Sequence, residues 1–222
     1  MKYNSVRFFL GAIRRKLVLY RNQAKWRKLN RHNETCPANI FPLEKVKVGR
    51  YTYGDLNVYS YRNPEESLII GDFCSIASDV VFVLGGEHNY NRFTSFPLEE
   101  KFFGAICESR VKGPIIIEDD VWIGTRCTIL SGVRIGKGAI IAAGSVVHNN
   151  IPSYAVYASG KIIKYRFESE IIKELENLDF SSIDKDTFKD IRELITQNID
   201  INNVRQIKKA ILETTGSSFM ES

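Results

Sequence analysis

The chain holds three histidines, His32, His88 and His148, and four cysteines, Cys36, Cys74, Cys107 and Cys127. An imidazole exchanges a proton near neutrality, at an ordinary pKa of ~6.5, so each histidine is a candidate general base. Their settings separate them. His32 lies in a basic stretch and reads as solvated. His148 takes an outward-facing place in a repeat, beside a groove. His88 lies in LGGEHNYNRF, residues 84–93, where a regular pattern on either side breaks off. Alone it would read as a polar loop residue. A metal-dependent hydratase needs several clustered histidines, and one histidine among the repeats argues against a metal. No cysteine pair has CxxC spacing, so the thiols read as reduced and intracellular. Arg7 and Arg14-Arg15-Lys16 cut the N-terminal apolar stretch, so no signal peptide is expected, and no run of about 18 apolar residues exists.

The elements that must position His88 follow a period of six. From Ile117 the chain divides into IEDDVW, IGTRCT, ILSGVR, IGKGAI, IAAGSV and VHNNIP. Position one is Ile117, Ile123, Ile129, Ile135, Ile141 and Val147, all β-branched. Position five is Val121, Cys127, Val133, Ala139, Ser145 and Ile151, mostly small or β-branched. Upstream, IGDFCS, IASDVV and FVLGGE repeat the register, and VGRYTY at Val48 reads as a partial coil. A helix repeats near 3.6 residues and a strand near two, so a period of six needs stacked coils. Three hexads make one triangular turn, with positions one and five inward. Stacked turns then bury a continuous core. Glycines at positions two and four are expected to serve turns with unusual φ/ψ. Cys74 and Cys127, both at position five, read as core residues and not nucleophiles.

Phe82 and Ile117 are 35 residues apart, not a multiple of six. The intervening segment is rich in aromatics (Tyr90, Phe93, Phe96, Phe102, Phe103), which argues against disorder, and long loops in compact domains tend to be functional. The repeat resembles the hexapeptide-repeat acyltransferases. IGDFCSIASDVVFVLGGEHNYNRFTSFPL followed by IEDDVWIG is similar to their xenobiotic branch, which includes chloramphenicol and streptogramin O-acetyltransferases and transferases of bacterial surface glycans. The resemblance covers roughly residues 46–170 and implies a left-handed parallel β-helix, although right-handed crossovers are the general preference.

By that resemblance His88 is the catalytic histidine, taking the proton of an acceptor hydroxyl as it attacks the thioester of acetyl-CoA, and no metal is expected. The same carry-over puts acetyl-CoA against Thr125 and Ala143, which are 18 residues, or one full turn, apart. Trp122 would border that groove, and Lys161 or Lys164, less so Arg166, would meet its phosphates. YAVYASGKIIKYRF lacks the family's proline and is two residues shorter. Tyr53, Tyr90 and Phe96 are candidate acceptor contacts, and the segment YTYGDLNVYSYRNPEE ahead of Ile70 is a candidate lining of the acceptor site. A homotrimer is implied, since family active sites form between neighbouring subunits.

The net charge of +5 is uneven: residues 1–31 hold ten Lys or Arg and no Asp or Glu, leaving the remainder at −5. On a helical wheel Val6, Phe9, Leu10, Ile13, Leu17 and Tyr20 share a face and Arg7, Arg14, Arg21 and Lys25 an adjacent one. That pattern suits a helix lying on anionic lipid, or one packed on its own trimer. Nucleic acid is not expected, because the remainder is acidic and carries no such motif. After Phe167 three amphipathic stretches follow, with Asp184 and Asn202 or Asn203 as N-caps, placed to cover the end of the coils or a neighbour. The last residues, TTGSSFMES, read as frayed. The reading is thus an all-β core, a left-handed parallel β-helix with a protruding loop and terminal helices. Its parts are a basic helical extension (1–33), an acetyltransferase domain (34–165, loop 87–114) and a helical C-terminal region (166–222). The function expected is O-acetylation of a sugar or surface polysaccharide precursor in the cytoplasm, with peripheral contact at the inner face of the membrane. Antibiotic O-acetylation, or a silent assembly module, are the alternatives.

Overall fold

A computed structural model describes residues 5–107 and 109–217. The side chains of Val6 and Arg7, and the last five residues, lie outside what is described. The chain forms two compact units that divide after Ile163.

The first unit is a parallel β-solenoid with three faces, visited in the same order by each coil. Face 1 stacks Glu34–Pro37, the start of Tyr53–Tyr59, Ser75–Ile76, Trp122–Ile123, Ile140–Ile141 and Ala155–Ala158. Face 2 stacks the end of Tyr53–Tyr59, Val81–Val83, Thr128–Leu130 and Val146–Val147. Face 3 stacks Val46–Val48, Leu68–Ile70, Ile115–Ile117 and Arg134–Ile135, with Ile151 bridged to Ile135. Every strand pair within these three faces is parallel, so backbone groups of one coil are satisfied by the next and the edges are few.

The six-residue pattern falls on these faces as inward columns. Val58, Phe82, Ile129 and Val147 form one, and Ile70, Ile117, Ile135 and Ile151 another, all buried. The position-five residues Val121, Cys127, Val133, Ala139 and Ser145 are buried as well. Ile151 departs from expectation: it pairs with Ile135, 16 residues back, so the last coil is two residues short and Ile151 serves as a position-one residue. The glycines divide by position. Gly138, at position four, has φ of +66°, the left-handed corner that a side chain resists. Gly124, at position two, does not: a Cβ there would come within 2.6 Å of the Ala143 amide nitrogen, so it serves close approach between coils instead of an unusual φ.

Helix α1 (Ser5–Leu29) closes the first coil. Trp26 is 1% exposed, packs edge-on against Phe41, and donates its indole N–H to Thr35 Oγ1 at 3.0 Å. Gln23 and Arg27 donate to the carbonyls of Pro37 and Thr35. His32 is not simply solvated: its Nε2 lies 2.9 Å from the Val48 carbonyl, fixing the link into the solenoid.

The second unit is helical. After the short loop helix α2 (Leu98–Phe102), α3 (Ser169–Glu176), α4 (Lys185–Asp190), α5 (Arg192–Ile195) and α6 (Ile201–Ser217) follow. Leu178, Ile183, Ile191, Ile207 and Ile211 form the core of that unit. Asp184 caps α4 by accepting from Asp186 and Thr187 N–H. The cap of α6 is Asp200, accepting from the N–H groups of Asn202 and Asn203. An aspartate at the N-cap thus replaces the expected asparagines, which fall in the first turn.

Candidate active site

The corner between faces 2 and 3 is where coils of the first unit differ. Ile129 and Ile135 are six residues apart across it, but Val58 and Ile70 are twelve apart and Phe82 and Ile117 thirty-five. Two successive coils therefore carry insertions at one corner, and the insertions pack on each other.

The long loop leaves the coil through a narrow neck. Glu87 and Arg110 form an antiparallel bridge, with Arg110 N–H donating to the Glu87 carbonyl at 2.8 Å. Asn63 of the shorter insertion donates to the Ser109 carbonyl at 2.9 Å. Under the neck, Glu66 is 2% exposed and holds the shorter insertion by accepting from the Tyr61 N–H at 2.8 Å and from Ser60 Oγ, with Lys45 beside it. Gly85 and Gly86 lie directly on this assembly. A Cβ on Gly85 would come within 2.9 Å of a Glu66 carboxylate oxygen, and one on Gly86 within 2.7 Å of the Tyr61 ring. Gly86 also has φ of +87°. The two glycines thus let the loop cross a tyrosine and a carboxylate at van der Waals distance and turn out again, carrying His88 with it.

His88 lies immediately beyond the neck. Its Nδ1 is 2.7 Å from the Ser95 carbonyl oxygen. A carbonyl only accepts, so Nδ1 carries the proton and donates, which leaves Nε2 with its lone pair. The imidazole is thereby held in one tautomer, ready to take a proton at Nε2. Beside it opens a cavity of about 630 Å³, walled by Ser60, Tyr61 and Arg62 of the shorter insertion and by loop residues that include Asn89, Arg92 and Phe96.

Of the candidate acceptor contacts, Phe96 lines this cavity with His88, while Tyr53 and Tyr90 do not. Tyr53 stands on the outer surface of face 1, in the outward column Tyr53, Ser75, Trp122 and Ile140. Tyr90 is exposed elsewhere on the loop. Ser60, Tyr61 and Arg62 fall within YTYGDLNVYSYRNPEE, the segment expected to line the acceptor site, although none of the three was named individually. The signal was there, since NVYSYRNPEESLII also runs six residues beyond a hexad at the corner that carries the longer insertion.

The candidate cofactor residues lie at another corner, between faces 1 and 2. Gly144 N–H donates to the Thr125 carbonyl at 2.8 Å, and Thr125 Oγ1 donates to the Ser78 carbonyl at 2.7 Å. Ser78, Thr125 and Ala143 therefore stack along that corner, all exposed. Small residues there leave that edge open to solvent. Trp122 is exposed on the adjoining face, and Lys161 and Lys164 are exposed on the strand Lys161–Tyr165. The structure does not bring the Thr125–Ala143 edge and His88 together within one chain: face 2 separates them.

The buried thiols take no part. Burial raises the Cys74 pKa to about 12, and its Sγ–H donates to the Glu118 carbonyl. Burial likewise raises that of Cys127. Among the described residues no group of three or more His, Cys, Asp or Glu is arranged to hold a metal ion.

A family model described as bacterial transferase hexapeptide (six repeats) matches residues 114–149. A chloramphenicol acetyltransferase of Klebsiella aerogenes is 34% identical over 156 residues, covering 61% of this chain and 74% of that protein. A probable macrolide acetyltransferase of Lysinibacillus sphaericus is 36% identical over 148 residues, covering 63% and 82%. Among solved structures, a hexapeptide-repeat acetyltransferase of Vibrio cholerae, complexed with acetyl coenzyme A, is 26% identical with a TM-score of 0.48, covering 65% of this chain and 76% of that one.

Proposed function

Because the chain belongs to the hexapeptide-repeat acetyltransferases, we propose that it moves the acetyl group of acetyl-CoA to a sugar hydroxyl, with His88 as general base. The observation that carries this reading is the 2.7 Å hydrogen bond from Nδ1 to the Ser95 carbonyl beside an open cavity. Nε2 takes the hydroxyl proton as the acceptor oxygen attacks the thioester carbonyl. The imidazolium returns that proton to the departing thiolate, so the histidine ends as it began. Direct transfer needs no enzyme nucleophile, in keeping with two cysteines buried in the core. A silent assembly module would have no use for an imidazole held in one tautomer.

In this reading the coils wind left-handed and the enzyme is a homotrimer in the cytoplasm. The two corners support the trimer. A hexad of extended chain spans at most about 20 Å, so His88 and the Thr125–Ala143 edge sit a face apart in one protomer and meet across a boundary between copies. Acetyl-CoA would lie along Ser78, Thr125 and Ala143, with Trp122 at its flank and Lys161 toward its phosphates. The exposed loop aromatics Phe93, Phe102 and Phe103 suit the same boundary.

The cavity wall favours a carbohydrate acceptor, on a surface polysaccharide or its precursor. Ser60, Arg62, Asn89, Arg92, Thr94 and Lys101 offer many hydrogen bonds for its size. An antibiotic hydroxyl is the second reading, favoured by relatives named for chloramphenicol and macrolides. Thiol release measured with nucleotide sugars, lipid-linked glycans, chloramphenicol and streptogramins tests both. Turnover confined to carbohydrates is expected. Preferred turnover of a drug would replace the acceptor. No turnover, together with no CoA binding by calorimetry, would refute the enzyme reading.

A further inference from the structure

We propose that α1 is an interfacial anchor whose outer face lies on an anionic lipid bilayer. The inference rests on the helix alone and holds whichever hydroxyl the active site acetylates.

At 100° per residue, α1 presents two apolar stripes on opposite sides. One holds Val18, Leu19 and Trp26, which are half-buried or buried toward the first coil. The other holds Phe9, Leu10, Ile13, Leu17 and Tyr20, from 42% to 65% exposed, and nothing among the described residues covers it. The Trp26 plug and the Gln23 and Arg27 hydrogen bonds fix the helix at its C-terminal end. The outer stripe is therefore held out by the fold and is not an unfolded tail.

Charge selects the occupant. Arg14, Arg21 and Lys25 run along one border of the outer stripe, and residues 1–31 contain no acidic residue with which to pair. Arg14, Arg15, Lys16, Arg21 and Lys25 make no ion pair among the described residues. A second copy offering the same stripe would bring a second set of like charges against the first. An anionic bilayer instead accepts the apolar side chains at the acyl boundary and the basic groups at its headgroups. Among the described residues no helix is long and apolar enough to cross a membrane, so the contact is one of lying on the surface.

The test is cosedimentation of the full-length protein with vesicles of phosphatidylcholine alone and with 30 mol% phosphatidylglycerol, with oligomeric state followed by light scattering. Binding is expected to the anionic vesicles and not to the neutral ones, and to weaken at 1 M salt, where the Debye length falls to about 3 Å. Each basic residue near such a surface contributes about a fivefold gain in partitioning, so Arg14→Gln with Arg21→Gln should weaken binding about 25-fold. Leu17→Ser with Ile13→Ser should also release the protein, with CoA affinity and turnover of a soluble acceptor unchanged. Two outcomes overturn the proposal: no preference for anionic vesicles, or stripe variants that bind as wild type. Dissociation of the assembly by the serine pair would overturn it differently, assigning the stripe to contacts between copies.

Discussion

Replacing His88 by asparagine tests proton transfer apart from structure. The side chain is exposed and makes one hydrogen bond among the described residues, Nδ1 to the Ser95 carbonyl. Losing one such bond costs about 0.5–1.5 kcal/mol, and less where water can take over, so even His88→Ala should fold normally. Asparagine goes further, since its amide N–H can donate to the same carbonyl and keep the loop in place. What neither residue offers is the basic nitrogen. Loss of a positioned general base costs about 10²–10⁴ in rate, or about 2.7–5.5 kcal/mol of barrier. Both variants should therefore lose kcat by that factor while the melting temperature and the Kd for CoA barely move. The assay is thiol release under saturating acetyl-CoA, paired with calorimetry and thermal melting. A His88→Asn enzyme within tenfold of wild-type kcat would refute the proton-transfer role. Loss of activity matched by loss of fold or of CoA binding would reassign His88 to structure.

Other consequences follow from the geometry. Gly86→Ala places a methyl group 2.7 Å from the Tyr61 ring at a φ of +87°; left-handed strain and overpacking together cost about 2–4 kcal/mol, read as a lower melting temperature or a displaced loop with raised acceptor KM, and wild-type values for both would contradict the packing. Iodoacetamide at pH 8 should spare Cys74 and Cys127 in the native protein, because burial raises both pKa values and keeps the thiols protonated; rapid labelling of either would show the core open. By the same sign, the unfolded chain loses the Cys74 proton near pH 9 and the folded chain only near 12, so this contribution to stability fades as pH climbs through that window. Ser145 Oγ is buried without a hydrogen-bond partner, so Ser145→Ala should raise stability by about 1–3 kcal/mol in thermal melts; a drop would mean the hydroxyl is satisfied.

The solenoid was legible because its period is enforced by burial: a residue out of step would put Ile129 or Ile135 in water, and every coil repeats that demand. Ile151 was misplaced because a deletion of two residues leaves no mark in a side chain that fits either inward position. The position-two glycines were misread for a related reason, since their need comes from the coil above and not from their own φ. Within the site, His88 stood out by interrupting a pattern. Ser95 could not, because its contribution is a backbone carbonyl that any residue supplies. Tyr61 and Arg62 could be placed only as part of a segment, because the twelve-residue spacing of their insertion is still a multiple of six and so leaves the register intact. Tyr53 was drawn toward the site by proximity in sequence, whereas alternation sends it to the outside of face 1.

The separation of His88 from the Thr125–Ala143 edge leads to a prediction that depends on assembly. If each active site takes its imidazole from one protomer and its cofactor edge from the next, two inactive variants should repair each other. His88→Ala removes the base, and Ala143→Trp fills the exposed corner where the cofactor would lie, leaving the other half of the site intact in each. In a trimer built at random from equal amounts, a given site has about an even chance of receiving an intact His88. The neighbouring protomer must then carry an intact Ala143, again at about even odds. Heterologous contacts around a threefold axis make those choices independent in sequence around the ring. About one quarter of wild-type activity should return when the two variants are co-expressed, and none when separately folded trimers are mixed without exchange. Were the site contained in one chain, co-expression would give no more than the residual rates of the parents, because every protomer would lack one half. Active-site titration of the hybrid, counting competent sites against total chains, distinguishes a restored quarter from a uniformly weakened enzyme. Failure of co-expressed variants to recover while still forming mixed trimers would refute a shared site even if His88 proves indispensable.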